Sequence, residues 1–381
     1  MRSYVFFEAQ RKLRGMTPKP IIVDGHLDLA FNMLTYGRDY TRPASETRRR
    51  EVGSAAVAEN GDTLIGWPEL QSGNVAVAFA TLFAKPSRSQ LHHAETQVYR
   101  DFDHAYRLAR EQLSVYHRLE GDHPDMFRII RSTPELRALL DLRRSSPDGS
   151  GPVGLVIGME GAEAIRSPSE LDEWHALGMR WVGLAWVGTR YSGGWKEPGP
   201  LTQDGRALLR GMADLGFILD ISHMDEPAAL AAIDQYQGTI VATHGNCHAL
   251  LPGYPTNRQF TDRLIEGVLE RDGVVGLVPY NAYLKVGWTR ESSTRDEVGL
   301  AAVIDHIDHV CQLAGDADHA GIGSDFDGGF GLQSAPAEID TIADLQKLAP
   351  LLKQRGYADG DVAKILGENW LRCLHRGLPP S

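Results

Sequence analysis

Two short polar groupings stand at the abrupt ends of apolar runs: Asp24-Gly25-His26-Leu27-Asp28 and Ser324-Asp325-Phe326-Asp327-Gly328. His26 and Asp28 are two apart, and in an extended segment residues i and i+2 point to one side. One imidazole and one carboxylate can therefore bind the same cation. His223, in Asp220-Ile221-Ser222-His223, and His244, after Thr243, end consecutive apolar runs and can bind a second cation together. Glu160, in Gly158-Met159-Glu160-Gly161, ends a run between these groups and can offer one oxygen to each ion. Three imidazoles and two carboxylates make a mixed nitrogen and oxygen donor set. Such a set suits zinc and also accepts manganese or cobalt. With no cysteine among the donors, positions stay open for water, and the chemistry to expect is metal-assisted hydrolysis.

A single histidine in a chain that has 14 is more often a surface or core residue than a ligand. What singles these residues out is place: each ends a separate apolar run. His244-x3-His248 also reads as a helical metal pair, but it departs from that pattern. His306 and His309 fall on a helical stretch and are expected to face solvent.

The elements that must carry these residues are short runs rich in Val and Ile, at 21–23, 75–83, 153–159, 181–187, 217–221, 239–243, 274–279 and 320–324. Runs that are apolar throughout, rather than alternating, suit parallel strands covered on both faces. Helical patterns lie between them. A long amphipathic stretch covers 94–119. Thr133-Pro134-Glu135 and Ser167-Pro168-Ser169-Glu170 each place a cap residue before Pro. Further helices are predicted at 202–215, 227–236, 262–271, 294–313 and 361–374. Strand alternating with helix eight times predicts a (β/α)8 TIM barrel, whose strand ends share one catalytic mouth. An open doubly wound sheet is the alternative; no G-x-G-x-x-G follows an early strand, which counts against a dinucleotide-binding version. Segment 38–60, rich in Arg, Glu and small residues, is expected as an exposed loop after the first strand, and 145–151 as a second loop. Neither resembles a linker, so residues 1–381 read as one barrel domain, with 1–20 as an N-terminal extension.

The chain of 381 residues is 42% hydrophobic, enough for one large core. Its net charge of −11 argues against a partner held by nucleic-acid phosphates. The three cysteines, Cys247, Cys311 and Cys373, have no paired spacing, so neither a disulfide framework nor a zinc knuckle is indicated. The apolar stretch near the N-terminus is too short for an export signal, and 75–83 is about half a membrane span. A soluble, cytoplasmic protein that acts on a small molecule, without membrane or nucleic acid, is the expectation.

Seven segments carry a family resemblance: VDGHLDL at 23–29, GMEGAEAI at 158–165, LGMRWVGL at 177–184, LDISHM at 219–224, ATHGNCHAL at 242–250, NRQFTD at 257–262 and GIGSDFDG at 321–328. Over about 21–374 the chain resembles the membrane (renal) dipeptidases of the amidohydrolase superfamily. The resemblance implies a barrel with two zinc ions. His26 and Asp28 then look like the ligands of one, His223 and His244 like those of the other, and Glu160 like the bridging carboxylate. Asp325 resembles the group that handles the proton of the attacking water. Arg258 is similar to the arginine that pairs with the substrate's terminal carboxylate; Tyr280 and Asn281 join it as candidate substrate-binding residues. A homodimer is also implied.

One position departs from the family pattern. Where the family usually presents a His after this strand, the register here leads to Trp186. An indole N–H donates one hydrogen bond but carries no charge and accepts no proton. Losing an oxyanion donor typically costs about two to three orders of magnitude in rate. Arg190, Tyr191 and Asn246 are the candidate substitutes, and the alternative reading of Trp186 is plain packing at the pocket wall. The mechanism implied is attack of a metal-bridged hydroxide on an amide carbonyl, with Asp325 passing the proton to the leaving amine. The alternatives are hydrolysis of an N-acyl amino acid or another amide or ester with the same metals, and a non-catalytic metal-binding relative.

Overall fold

Parallel pairing begins where the apolar runs begin. Residues 19–90, 92–146 and 149–381 are described by the computed structural model; most of the expected N-terminal extension lies outside them. Each predicted run overlaps a strand: β1 (Ile22–Leu27), β2 (Val75–Phe83), β3 (Val153–Glu160), β4 (Trp181–Gly183), β5 (Ile218–Asp220), β6 (Ile240–Val241), β7 (Val275–Leu277) and β8 (Ala320–Ile322). They pair in the order β6-β5-β4-β3-β2-β1-β8-β7, and every pair is parallel. The remaining gap closes through a bridge between Ala242 and Val275, with Ala242 N–H donating to the Val274 carbonyl at 2.9 Å. The architecture is a (β/α)8 barrel.

The strands sort their side chains by face. Val23, Val77, Phe79, Val156, Trp181, Ile218, Val241 and Val274 form an inner cluster. Val75, Leu155, Val182, Leu219, Ile240 and Leu277 belong to the cluster shared with the helices. Inside the barrel, Phe79 packs on Trp181 and Trp370, with ring centroids 6.1 and 5.1 Å apart. Gly158 makes room for this layer: a Cβ there would lie 2.0 Å from the Trp181 ring. Trp370 belongs to the last helix (Asn369–Gly377), whose Arg376 bonds Asp272 and Thr239 just ahead of β7 and β6. The C-terminal helix thus plugs the N-terminal end of the barrel and leaves the other end for chemistry.

The caps differ from the expected ones at Thr133 and Ser167: Thr133 lies inside its helix, one residue past the cap, and Ser167 makes no side-chain cap bond. Ser132 accepts from Glu135 N–H ahead of Thr133–Ser145, and Thr202 from Gly205 N–H ahead of Gln203–Leu215. The first long helix starts later than expected, at Phe102, because Asp101 accepts from His104 N–H. Segment 38–60 is not an exposed loop. It forms helices Ala44–Glu51 and Ala55–Glu59, and two of its charges turn inward: Arg38 is 2% exposed and pairs with the buried Glu51, while Arg49 and Arg50 stay exposed. His306 also departs from expectation. It is buried, and its Nδ1 accepts the Cys247 N–H at 3.1 Å, while its neighbour His309 pairs with Asp262. Among the described residues no helix is long and apolar enough to cross a membrane.

Candidate metal centre and active site

Backbone pairing brings the strand ends to one mouth, and buried carboxylates then fix the backbone there. Asp24 on β1 accepts the His26 N–H at 3.2 Å, the Ser324 N–H at 2.7 Å and the Ser324 hydroxyl at 2.5 Å. Asp220 on β5 does the same across to β6, accepting from Thr243 N–H at 2.9 Å and its hydroxyl at 2.7 Å. These two clamps tie β1 to β8 and β5 to β6 directly beneath the polar residues. Sequence reasoning missed them, although an Asp two or three positions before each His was the available signal. Thr243 lies between the two sites, with its hydroxyl 2.9 Å from His244 Nδ1 and 3.4 Å from His26 Nδ1.

Above the clamps the predicted donors meet. Glu160 lies with one oxygen 2.8 Å from His223 Nε2 and 3.4 Å from His244 Nε2. Its other oxygen is 3.6 Å from His26 Nε2, which in turn is 3.8 Å from Asp28. Asp325 approaches the Asp28 side: ligand atoms of His26, Asp28 and Asp325 fall within 4.8 Å of one another, as do those of His26, Glu160 and His244. Thr81 on β2 donates to Asp28. Gly328 permits the crowding, since a Cβ there would sit 1.9 Å from an Asp325 oxygen and 2.8 Å from Asp28.

The electrostatics ask for a cation. Burial disfavours charge on His26, but Glu160, Asp28 and Asp325 outweigh it and hold the imidazole up at about 10. Burial would raise Glu160, yet His26 and His223 hold it below the ordinary carboxylate range. Asp28 rises to about 6, chiefly through burial, and Asp325 is raised well above its usual value by burial, with Asp28 and Glu160 adding. His223 drops to about 4 through burial and the Arg258 charge; His244 falls well below its usual value for the same reason, with His26 contributing. Two neutral imidazoles, a third whose buried Nε2 has no hydrogen-bond partner, and three close carboxylates form a set that fits divalent metal.

A cavity of about 250 Å3 opens over this cluster. One wall is a run of aromatic rings, Phe31, Phe83, Trp186 and Trp195, with successive centroids 5.2 to 5.4 Å apart. Tyr280, stacked on Phe330 at 4.3 Å, lines the cavity as well. Arg258 and Asn281 do not line it. Arg258 is 1% exposed and gives Nη1 to the Ser222 carbonyl at 3.0 Å and Nη2 to that of His244 at 3.1 Å, while its Nε is unpartnered. Asn281 is buried with neither amide atom bonded. The substitutes considered for the missing histidine are engaged elsewhere. Tyr191 donates to the Ile165 carbonyl, Asn246 bonds Val278 and Tyr283, and Arg190 packs on Phe102. A cation that sequence reasoning missed does reach the spot: Lys85, just past β2, lines the cavity with its Nζ 5.6 Å from the Trp186 ring and pairs with Glu95.

The profile of the membrane dipeptidase family (peptidase family M19) matches residues 10–376. The chain belongs to this family. Dipeptidase aclJ of Aspergillus oryzae is 26% identical over 93% of the chain and 77% of its own length. An uncharacterised protein encoded 5′ of pqqA in Klebsiella pneumoniae is 32% identical over 65% of the chain and 90% of its own length. Among solved structures, a metallopeptidase from Rhodobacter sphaeroides, liganded with a phosphinate mimic of L-Ala-D-Ala, superposes with a TM-score of 0.74 at 26% identity, covering 94% of this chain and 99% of that one. Membership makes this membrane dipeptidase homologue a metal-dependent hydrolase of dipeptidase type, and the donor cluster at the barrel mouth is where divalent metal fits.

Proposed function

We propose that this protein hydrolyses the amide bond of dipeptides, or dipeptide-like substrates with a free C-terminal carboxylate, using two divalent ions, with zinc expected. One observation carries the reading: Glu160 presents one oxygen to His223 and His244 and the other to His26, beyond which stands Asp28. That arrangement divides the donors into two sets that share a carboxylate. His26 and Asp28 would hold one ion and His223 and His244 the other. Bound metal supplies Lewis acidity and a water acidified towards neutrality.

The chain's own residues supply the rest. Asp325, buried beside Asp28, takes the proton of the attacking water and returns it to the leaving amine. The rings of Phe83, Trp186 and Trp195 exclude water on one side and Tyr280 does so with Phe330. Arg258 is the candidate partner of the substrate carboxylate; that role requires its guanidinium to exchange a backbone carbonyl for the ligand. Asn281 would act from beside Tyr280. Lys85 is a second cationic candidate, already on the cavity surface next to Trp186. A second reading, hydrolysis of N-acyl amino acids, is favoured by the apolar wall that Trp186 completes.

Metal analysis paired with a substrate screen tests the proposal. The ligand of the Rhodobacter sphaeroides relative puts L,D-dipeptides first in that screen, followed by L,L- and D,D-dipeptides and N-acyl amino acids. Two ions per chain with dipeptide cleavage is the expected result. Cleavage of acyl compounds alone would favour the second reading, and a protein that binds no metal would end both.

A further inference from the structure

Asp325 belongs to a turn that the backbone does not favour on its own. Asp325 and Asp327 both lie in the left-handed region, with φ of 55° and 64°. Each such residue costs on the order of 1 kcal/mol or more and persists only where its surroundings hold it. Some support is local: Asp325 N–H donates to the His26 carbonyl at 3.2 Å and Gly328 N–H to the Asp325 carbonyl at 2.9 Å.

Most of the support comes from far away in sequence and converges on Asp327, a residue that does not line the cavity. Its carboxylate accepts from the Tyr40 hydroxyl at 3.0 Å, the Thr63 hydroxyl at 2.5 Å and the Leu64 N–H at 2.8 Å. Its carbonyl accepts from the amides of Asn32 at 3.0 Å and Asn60 at 2.9 Å. Arg38 Nη1 stands 3.1 Å from the carboxylate as an ion pair without hydrogen-bond alignment. Arg38 is itself gripped on its other edge by both oxygens of Glu51 at 3.1 Å and by the Gly61 carbonyl at 2.6 Å. All of these groups are buried, and Leu64 and Gly61 contribute backbone only. They all lie in 32–64, the segment that follows β1.

We propose that the buried Glu51–Arg38–Asp327 chain is a positioning device: Arg38 and Asp327 hold the turn 324–328 in the shape that aims Asp325 at the metal centre. The proposal rests on the proton-handling role of Asp325 given above. It explains why Arg38 and Glu51 are buried in the segment after β1, and why the turn keeps two left-handed aspartates where glycine would relax them. The arrangement also couples the two ends of the barrel seam. β1 carries His26 and leads directly into Asp28, and the segment that follows fixes the turn after β8, so donors from the first and last strand ends share one frame.

Arg38→Met, Arg38→Lys and Asp327→Asn test it, each alone and on an Asp325→Asn background. Four quantities are read: kcat, KM, metal per chain, and hydrogen exchange of a peptide spanning 321–331. Misplacing a catalytic group by about 1 Å costs on the order of a hundredfold. Arg38→Met and Asp327→Asn should therefore lose about tenfold to a hundredfold in kcat, with KM and metal content nearly unchanged. Exchange at 325–328 should rise, and Arg38→Lys should recover part of both. On the Asp325→Asn background the same substitutions should cost nothing further in rate, because the group they position is gone. Unchanged exchange and kcat in Arg38→Met, or an equal loss on both backgrounds, would overturn the proposal. If Arg38→Met does not fold, Tyr40→Phe and Arg38→Lys carry the same four readouts. If Asp325→Asn is itself fully active, the proton-handling role fails, while the exchange data still decide whether the clamp exists.

Discussion

Asp325 is the residue on which rate should depend most. It is buried beside two other carboxylates, and replacing it with Asn keeps its size while removing its basicity. Turnover should fall by about two to four orders of magnitude, the usual worth of a positioned acid–base group, with metal content unchanged by elemental analysis; near-normal turnover would remove the role. Trp186 makes a second prediction at this scale. Trp186→His places a chargeable donor on the cavity wall and should raise kcat for small dipeptides, while Lys85→Met should lower it; steady-state kinetics on a dipeptide series reads both. His26, Asp28, Glu160, His223 and His244 were legible because each interrupts an apolar run at its end. Lys85, Arg38 and Asp327 were not. A charge in sequence reads as exposure, and Arg38 and Asp327 are separated by nearly the whole barrel.

The elements that hold these residues depend on what fills the barrel beneath them. Trp370 closes the floor with Phe79 and Trp181 and donates its indole N–H to the Ile322 carbonyl at 2.9 Å. Trp370→Ala should cost roughly 3–5 kcal/mol in urea unfolding, as large-to-small core changes do. His306 gives an element-level pH dependence. Burial pushes it down to about 4, against about 6.5 when unfolded, and in the fold its Nδ1 accepts the Cys247 N–H. Above about 6.5 it is neutral in both states and carries no pH-dependent penalty. As pH falls from 6.5 towards 4 the unfolded chain takes up a proton that the fold refuses, so stability drops, by up to roughly 3 kcal/mol. His306→Gln should flatten the decline in Tm between pH 7 and pH 5 relative to the parent protein; an identical decline would show that this histidine contributes nothing to it. All eight strands were legible because buried parallel strands are apolar throughout. The antiparallel hairpin of Ser192–Gly194 and Glu197–Leu201 was not, since its Gly- and Pro-rich sequence reads as loop.

For the whole molecule, the barrel mouth gathers carboxylates and imidazoles that share one small buried volume. Bound cations should therefore stabilise the fold as well as permit catalysis. A ligand present at about a thousand times its Kd adds roughly 4 kcal/mol. Chelation should abolish activity and lower Tm, and zinc should restore both; a Tm indifferent to chelator would contradict a metal centre built into the core. Family membership and barrel class were both legible from strand-end motifs, because those motifs are where the fold and the chemistry constrain the same residues. The shape of the cavity was not, since Phe31, Phe83, Trp186 and Trp195 reach it from four separate positions along the chain.

The most direct measurement of the central claim is anomalous diffraction from crystals of the zinc-loaded protein. The account predicts two peaks, one at His26 and Asp28 and the other at His223 and His244, with an oxygen of Glu160 on each. A single peak, or two peaks of which Glu160 touches only one, would contradict it.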